Sequence, residues 1–186
     1  TRQLAAWHRA IPRIRDTYVS VNLSSAEFAH ADLVRQVGNA LETSGLAPQQ
    51  LKLEVTETVL IENTAQATKV LQELNSLGIS TAIDDFGTGY ASFSYLHRFT
   101  FDALKIDRTF VHRLDKDQKS LEIVRAIVTL ARNLGLAVVA EGGETAAEVD
   151  CLREVGCQFG QGFAFSPALP ASDIEALVQR DIKSHL

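Results

Sequence analysis

Short apolar runs rich in β-branched residues alternate along the chain with longer stretches whose apolar residues recur at helical spacing. This alternation is typical of βα units, in which parallel strands are connected by helices that pack on the sheet. The short runs predict six strands, at residues 18–23, 51–55, 80–84, 103–107, 137–141 and 160–165. The pattern therefore predicts an α/β fold with a mostly parallel sheet.

Two of the helical stretches end at a glycine, where helices commonly stop. Residues 33–45 end at Gly45, and residues 119–135 end at Gly135. Glycine suits the position after a helix because it adopts the left-handed backbone conformation without a steric penalty. We expect both helices to end at these glycines.

Two architectures with a parallel sheet are compatible with six strands: an open doubly wound sheet and a barrel. An open doubly wound sheet normally carries a glycine-rich phosphate loop after its first strand, whereas the first strand here ends in V-N-L-S-S. A helical stretch, residues 4–11, precedes that strand without a strand of its own. We therefore expect a (β/α)8 TIM-like barrel, N-terminally incomplete, with about six of its eight βα units in this chain and two upstream. The start at Thr1 and the absence of Met fit an excised segment of a longer polypeptide.

Composition narrows the classes of partner. The 186 residues carry a net charge of -5, which argues against nucleic acid as a main partner, since phosphate backbones usually meet a basic surface. No apolar run approaches the length needed to span a bilayer, so we expect no membrane contact by this segment. Cys151 and Cys157 lack the spacing of a zinc site and are too few for a disulfide framework.

The predicted strands end in polar residues, most of them acidic. In a barrel of this type the carboxyl ends of the strands meet at one mouth, where functional side chains gather. The strand ends, in chain order, are Asn22, Glu54, Asp84 with Asp85, Lys105 with Asp107, Glu141, and Gln161. Lys105 and Asp107 share one face of their strand by its two-residue period. Several carboxylates in one mouth require positive charge, and metal ions are its natural source.

Oxygen ligands without a histidine or cysteine cluster favour Mg²⁺, Mn²⁺ or Ca²⁺. Adjacent carboxylates such as Asp84 and Asp85 suit a site in which one acid bridges two ions and the next acid binds the second. Charge and geometry alone therefore predict metal-assisted hydrolysis of a phosphodiester.

The residues at these strand ends resemble those of a known family over nearly the whole chain. Six stretches are similar to successive motifs of the EAL domain, the bacterial cyclic di-GMP phosphodiesterase: V-N-L-S, L-E-V-T-E, D-D-F-G-T-G-Y-A-S, L-K-I-D-R-T-F-V, A-E-G-G-E-T and Q-G-F-A-F-S. The resemblance implies a barrel close to (β/α)8, with residues 1–186 forming the C-terminal three quarters of the domain. It also implies hydrolysis of cyclic di-GMP to linear pGpG with two Mg²⁺ or Mn²⁺ ions.

The resemblance also implies a role for each matching residue. The implied metal ligands are Asn22, Glu54, Asp84 as the bridging acid, and Asp85. The implied catalytic group consists of Lys105 at the attacking water or scissile phosphate, Asp107 beside it, Glu141 near the second metal, and Glu57, which holds the D-D-F-G-T-G loop. Glu144 and Gln161 are implied to line the same site and contact substrate.

Three departures from the family pattern bear on these expectations. The Glu-Ala-Leu motif of the family's N-terminal part is absent from the chain, and the E-A-L tripeptide at residues 175–177 lies in the last helical stretch instead. Gly143 stands where the family usually has Val, and glycine could loosen the loop between Glu141 and Glu144. Pro167 stands where the family has a basic residue, which removes one cation near an anionic ligand.

Two other functions remain open from the sequence. One is a degenerate EAL domain that acts as a cyclic di-GMP receptor or a protein-interaction module, although such domains usually lose several metal ligands. The other is a different Mg²⁺-dependent barrel, such as an enolase-type lyase, which would not need the D-D-F-G-T-G loop.

The family also implies a setting for the domain. We expect a bacterial cytoplasmic location, with a parent protein that is membrane-tethered through upstream segments in some cases, and an upstream GGDEF, PAS or receiver domain. A homodimer through residues 90–101 is also expected, although the apolar residues there suit this domain's own core equally well. Because unpaired sheet edges invite association, we expect these 186 residues alone to be inactive or poorly folded.

Overall fold

The computed structural model describes residues 1–62, 64–89, 96 and 98–179. The predicted dimer region, residues 90–101, lies mostly outside these residues. None of the helices in the described residues combines the length and the apolar character that a bilayer span requires.

A parallel six-stranded sheet forms the centre of the fold. Its strands are β1 (Val19–Leu23), β2 (Leu51–Thr56), β3 (Ser80–Phe86), β4 (Ala103–Ile106), β5 (Ala137–Glu141) and β6 (Phe159–Gln161). Each strand pairs with the next one in the chain, so the spatial order follows the chain from β1 to β6. A doubly wound sheet reverses its strand order part-way. The consecutive order instead confirms the predicted α/β barrel type, of which the described residues form six strands.

Helices connect the strands and cover the outer face of the sheet. They are α1 (Arg2–Ala10), α2 (Ser25–Phe28), α3 (Leu33–Ser44), α4 (Glu57–Glu62), α5 (Thr64–Ser76), α6 (Arg108–Val111), α7 (Gln118–Asn133), α8 (Ala146–Glu154) and α9 (Ala171–Gln179), with 3₁₀ turns at Pro12–Ile14 and Pro48–Gln50. The predicted stops are confirmed, since Gly45 has φ of 70° after α3 and Gly135 has φ of 73° just after α7.

The core lies between the sheet and these helices. The central strands contribute Leu53, Ile83, Leu104 and Ile106, each at most 2% exposed. Fully burying one aliphatic side chain of this size stabilises the fold by about 1.5–3 kcal/mol. Because every second strand residue faces this core, the intervening residues face the barrel interior and its mouth.

The last strand is shorter than the sequence pattern predicts. We predicted a strand over residues 160–165, but β6 ends at Gln161 and the chain then turns. The amides of Phe165 and Ser166 both donate to the Gly162 carbonyl, 3.0 and 3.2 Å away. The backbone of Gly143 lies so close to Gly162 that a Cβ there would overlap it. The prediction of strand at 162–165 was therefore wrong, because this contact turns the chain away from the sheet.

Candidate active site

Strand register places the polar strand ends side by side at one end of the sheet. Asn22 on β1 lies opposite Glu54 on β2, and Glu141 on β5 lies opposite Gln161 on β6. Between them, Asp84 projects from β3 and Lys105 from β4. The parallel arrangement thus gathers side chains that are far apart in the chain.

Lys105 is the centre of this group. Its Nζ lies 2.5 Å from Glu54 Oε2, 2.6 Å from Glu141 Oε1 and 2.9 Å from Asp84 Oδ1. The residue is 4% exposed, and such burial alone would lower its pKa. Hydrogen bonds to Glu141, Glu54 and Asp84 outweigh that effect and raise the pKa of Lys105 above its usual value. The lysine is therefore a fixed ammonium group.

Asn22 completes the group on the β1 side. Its amide end lies 3.0 Å from Glu54 Oε2 and 3.2 Å from Asp84 Oδ2, and with the nitrogen turned towards them it donates to both. The same side chain, turned over, presents its oxygen beside the two carboxylates. Asn22 thus suits a neutral oxygen ligand for a cation shared with them.

Asp84, Asp85 and Glu141 are the group of acids best arranged to hold a metal ion among the described residues. Each offers a carboxylate oxygen, and these oxygens all lie within 4.8 Å of one another. A purely oxygen donor set fits Mg²⁺, Mn²⁺ or Ca²⁺. Burial, together with Asp84 and Glu54, raises the pKa of Glu141 although Lys105 opposes this. The excess of acids over the single ammonium group favours divalent cations here.

Asp85 and Asp107 form a second acidic pair at the edge of this group. Burial raises the pKa of Asp85, and the charges of Asp84 and Asp107 raise it further. Burial opposes ionisation of Asp107 as well, but hydrogen bonds, first from Thr109, lower the pKa of Asp107. Its carboxylate caps α6 by accepting from the Thr109 amide at 2.8 Å. The two neighbouring acids are therefore shifted in opposite directions, with the pKa of Asp85 raised and that of Asp107 lowered.

Glu57 lies at the start of α4, outside the group around Lys105. The residue is 5% exposed, and its Oε1 accepts from the Gly87 amide at 3.0 Å. A Cβ on Gly89 would lie 2.8 Å from Glu57 Oε2, so only glycine fits beside this carboxylate without a shift. Glu57 thus contacts the G-T-G turn that follows Asp85.

Glu144 and Gln161 lie at the rim of the mouth. Glu144 is exposed and lines a surface cleft of about 420 Å³ together with Arg108, Thr109, His112 and Gly142. Gln161 is exposed on β6, next to Glu141. Both are accessible to a ligand, but neither has a side-chain hydrogen bond to the carboxylates around Lys105 among the described residues.

Comparison with known proteins identifies the family to which this chain belongs. The family model described as the EAL domain matches residues 1–168. The chain belongs to the EAL domain family. This membership sets aside the enolase-type lyase that the strand-end acids alone left open.

Individual relatives of this EAL domain are well matched. Cyclic di-GMP phosphodiesterase NbdA of Pseudomonas aeruginosa is 45% identical over 161 residues, which is 87% of this chain and 21% of NbdA. The solved PaMucR phosphodiesterase, in complex with c-di-GMP, has a TM-score of 0.87 and 42% identity, covering 93% of this chain and 69% of that one. The manganese and cyclic di-GMP complex of Klebsiella pneumoniae BlrP1 has a TM-score of 0.80 and 37% identity, covering 88% of this chain and 42% of that one.

The relatives are much longer proteins, and the stretch that matches this chain is only one part of each. The chain spans about a fifth of the length of the first curated relatives that it matches. Two of these relatives' structures contain the cyclic dinucleotide, and one contains manganese as well.

The glycine that departs from the family pattern lies in a well-bonded loop. The Gly143 amide donates to the Gln161 carbonyl at 3.2 Å, and its carbonyl accepts from the Ala164 amide at 2.9 Å. A Cβ on Gly143 would meet only Phe165 and Val149, at an ordinary contact distance of 3.7 Å. The expected loosening by Gly143 is therefore opposed by hydrogen bonds on both sides of its backbone. Pro167, the other departure, is exposed.

Glu148 is a buried acid that lies outside the six motifs that resemble the family. It is 3% exposed and accepts hydrogen bonds from three backbone amides. The sequence T-A-A-E, residues 145–148, carries the signal of a helix capping box, which identifies one of these bonds. The other two come from outside the helix, and the one from Arg113, 35 residues away in the chain, depends on the tertiary fold.

Proposed function

We propose that the protein containing this EAL domain hydrolyses cyclic di-GMP to linear pGpG, with two divalent ions, Mg²⁺ or Mn²⁺, as cofactors. The observation that carries the proposal is the convergence of Asp84, Asp85 and Glu141 at the strand ends, where Asp84 and Glu141 also contact one buried ammonium group. The names of NbdA and of the PaMucR and BlrP1 complexes support the same substrate.

The residues that would hold the ions are Asn22, Glu54, Asp84, Asp85 and Glu141. Bound ions of this kind lower the pKa of water and stabilise negative charge on phosphoryl oxygens. The protein holds these ligands in place through strand pairing and through the Lys105 contacts. Little rearrangement of the backbone is therefore needed for the ligands to surround the ions.

Lys105 supplies the positive charge of a side chain close to where the phosphate reacts. Its ammonium group has three acidic partners at 2.5–2.9 Å, which fix its position at the mouth. An N–H that one of these carboxylates releases on binding a metal ion would then orient the attacking water or donate to the scissile phosphate. Asp107 caps α6 and carries its charge beside Asp85. Glu144 and Gln161, at the rim, contact the parts of the nucleotide that do not react.

Further proposals concern the whole protein. An upstream regulatory domain of the GGDEF, PAS or receiver type fits the small share of each relative that this chain spans. A bacterial cytoplasmic location fits a cyclic dinucleotide messenger. A homodimer through residues 90–101 remains a proposal from the family resemblance.

Turnover in the full-length protein tests the main proposal. Purified protein is incubated with cyclic di-GMP and either Mg²⁺ or Mn²⁺, and pGpG is quantified by chromatography. We expect pGpG with either ion, none with EDTA, and background turnover in Asp84→Ala. Asp150→Ala removes an exposed acid that forms a surface ion pair with Arg153, so it serves as a matched control with normal turnover. Tight binding of cyclic di-GMP without pGpG would refute hydrolysis and indicate the receptor function instead.

A further inference from the structure

Glu148 makes more contacts than helix capping requires. It lies in the first turn of α8, where Thr145 Oγ1 accepts from the Glu148 amide at 3.3 Å and Glu148 Oε2 accepts from the Thr145 amide at 2.9 Å. These two bonds form an ordinary capping box. A capping glutamate is normally exposed, whereas Glu148 is 3% exposed.

Two more backbone amides donate to the same carboxylate. Oε2 also accepts from the Glu144 amide at 2.9 Å, and Oε1 accepts from the Arg113 amide at 2.7 Å. Burial would raise the pKa of Glu148, but the amides of Arg113, Glu144 and Thr145 outweigh it and lower the pKa. The carboxylate thus remains charged and binds two separate segments.

Both segments lead into the active site. Glu144 and Thr145 follow Glu141 after only two glycines, a pair whose backbone is free to take several conformations. Arg113 ends the segment that begins with Asp107 and α6, and it has a left-handed φ of 60°, which is costly for a residue with a side chain. The Glu148 bond to the Arg113 amide helps to compensate for that cost.

The opposite side of the glycine pair is also held. A Cβ on Gly142 would lie 2.5 Å from Arg108 Cβ, so α6 packs directly on this glycine. The Gly143 amide is bonded to the Gln161 carbonyl. With Glu148 behind it, the segment from Glu141 to Thr145 is fixed on each side.

We propose that Glu148 is a positioning residue for Glu141, which it holds in place by joining the segment after β5 to the segment after α6. Among the described residues its carboxylate has no hydrogen bond to the carboxylates around Lys105. At the rim cleft it accepts from the Glu144 amide and lies 3.9 Å from His112 Nδ1, and it acts on Glu141 through the backbone. The inference rests on the proposed function in so far as Glu141 is taken to serve the metal site. Loss of Glu148 frees the two glycines and lets the Glu141 carboxylate move away from Asp84 and Asp85.

Two substitutions in the full-length protein test this role. Glu148→Ala removes all three bonds from the side chain. Glu148→Gln keeps an oxygen that can accept from Glu144 and Thr145, but its amide nitrogen cannot accept from Arg113. Glu154→Ala is the control, because it removes an exposed acid from the other end of the same helix. Each protein is measured for Mn²⁺ affinity by electron paramagnetic resonance, without substrate, and for kcat and KM on cyclic di-GMP.

We expect Glu148→Ala to weaken Mn²⁺ binding and lower kcat, each by about 10–100-fold, as is usual for residues that orient metal ligands, with KM changed much less. Glu148→Gln should lose less, and Glu154→Ala should match the wild type. Unchanged Mn²⁺ affinity and kcat in a folded Glu148→Ala protein would overturn the proposal, even if its Tm falls. If Glu148→Ala does not fold, unchanged Mn²⁺ affinity and kcat in Glu148→Gln would overturn the proposal instead. If the wild-type protein binds Mn²⁺ but does not hydrolyse cyclic di-GMP, the proposed hydrolysis is refuted. The role of Glu148 is then still decided by comparing the Mn²⁺ affinity of the variants with that of the wild type.

Discussion

Lys105 shows how one residue can decide the electrostatics of a site. Three acids from three different strands lie within 2.9 Å of its Nζ, and the lysine is almost completely buried. Removing one partner of a buried ionic group leaves the others without compensation, which costs far more than losing a surface ion pair. The same ammonium group therefore serves stability and, in our proposal, contact with the phosphate.

Replacement of Lys105 by methionine tests both roles. We expect Lys105→Met to abolish pGpG formation and, without metal, to lower the free energy of unfolding by about 3–5 kcal/mol. Mg²⁺ should restore part of that stability, because it supplies the missing positive charge. Denaturant unfolding with EDTA and with Mg²⁺ measures the difference. Lys119→Met, at an exposed position in α7, should change neither quantity, and a fully active Lys105→Met protein would disprove the proposed role.

Gly142 is a second residue at which a small change has a large expected effect. Its φ is +74°, and an added Cβ would lie 2.5 Å from Arg108 Cβ. We expect Gly142→Ala to lower the free energy of unfolding by about 1–3 kcal/mol and to reduce turnover, since Gly142 follows Glu141 directly. Gly38→Ala is the matched control, because α3 leaves open space around Gly38. There the alanine should stabilise the helix by about 0.5–1 kcal/mol. Equal effects at the two glycines in urea unfolding would contradict this account.

At the scale of elements, the site depends on short segments that are bonded to the sheet rather than on long helices. α6 is a single turn that Asp107 caps, and the turn after β3 is bonded to Glu57 at the start of α4. Asp85, near the end of β3, has a left-handed φ of 52°. Such a conformation persists only where neighbouring contacts hold it. The Glu57 contact to Gly87 is one of these contacts.

Loss of the Glu57 contact should therefore reduce activity without a direct loss of a metal ligand. We expect Glu57→Ala to lower kcat by about 10–100-fold, because the turn after Asp85 is no longer held in place. Steady-state kinetics on cyclic di-GMP measures the change. Glu62→Ala, at an exposed position of the same helix, should behave as the wild type. Wild-type kcat in a folded Glu57→Ala protein would rule out a role for this contact.

At the scale of the whole molecule, the acidic mouth stores unfavourable electrostatic energy. Asp85 and Glu141 both have a raised pKa, for which burial is the largest cause and neighbouring acids add to it. The sheet holds these acids together, since β3 pairs with β4 on both sides of a register shift between Ile83 and Phe86, and β4 pairs with β5. A cation that binds only the folded state relieves this repulsion and stabilises the protein by mass action.

Metal ions should therefore raise the thermal stability of the full-length protein. At a concentration of 100 times Kd, the expected stabilisation is about 2.7 kcal/mol. Differential scanning calorimetry with Mg²⁺ or Mn²⁺ measures it, and excess EDTA should reverse it. NaCl at equal ionic strength controls for simple screening. Asp84→Asn should show a clearly smaller shift, and an equal shift in that variant would place the ions elsewhere.

The sequence by itself determined the kind of elements and their order. Apolar periodicity located the strands, Gly45 and Gly135 marked helix ends, and acids at strand ends indicated the mouth, because each of these signals is local. Only the tertiary structure decided that Lys105 binds three acids at once and that Glu148 joins two segments. It also ended β6 at Gln161, where the Gly143 backbone lies against Gly162. These features depend on residues distant in the chain, and no local pattern encodes which of them meet.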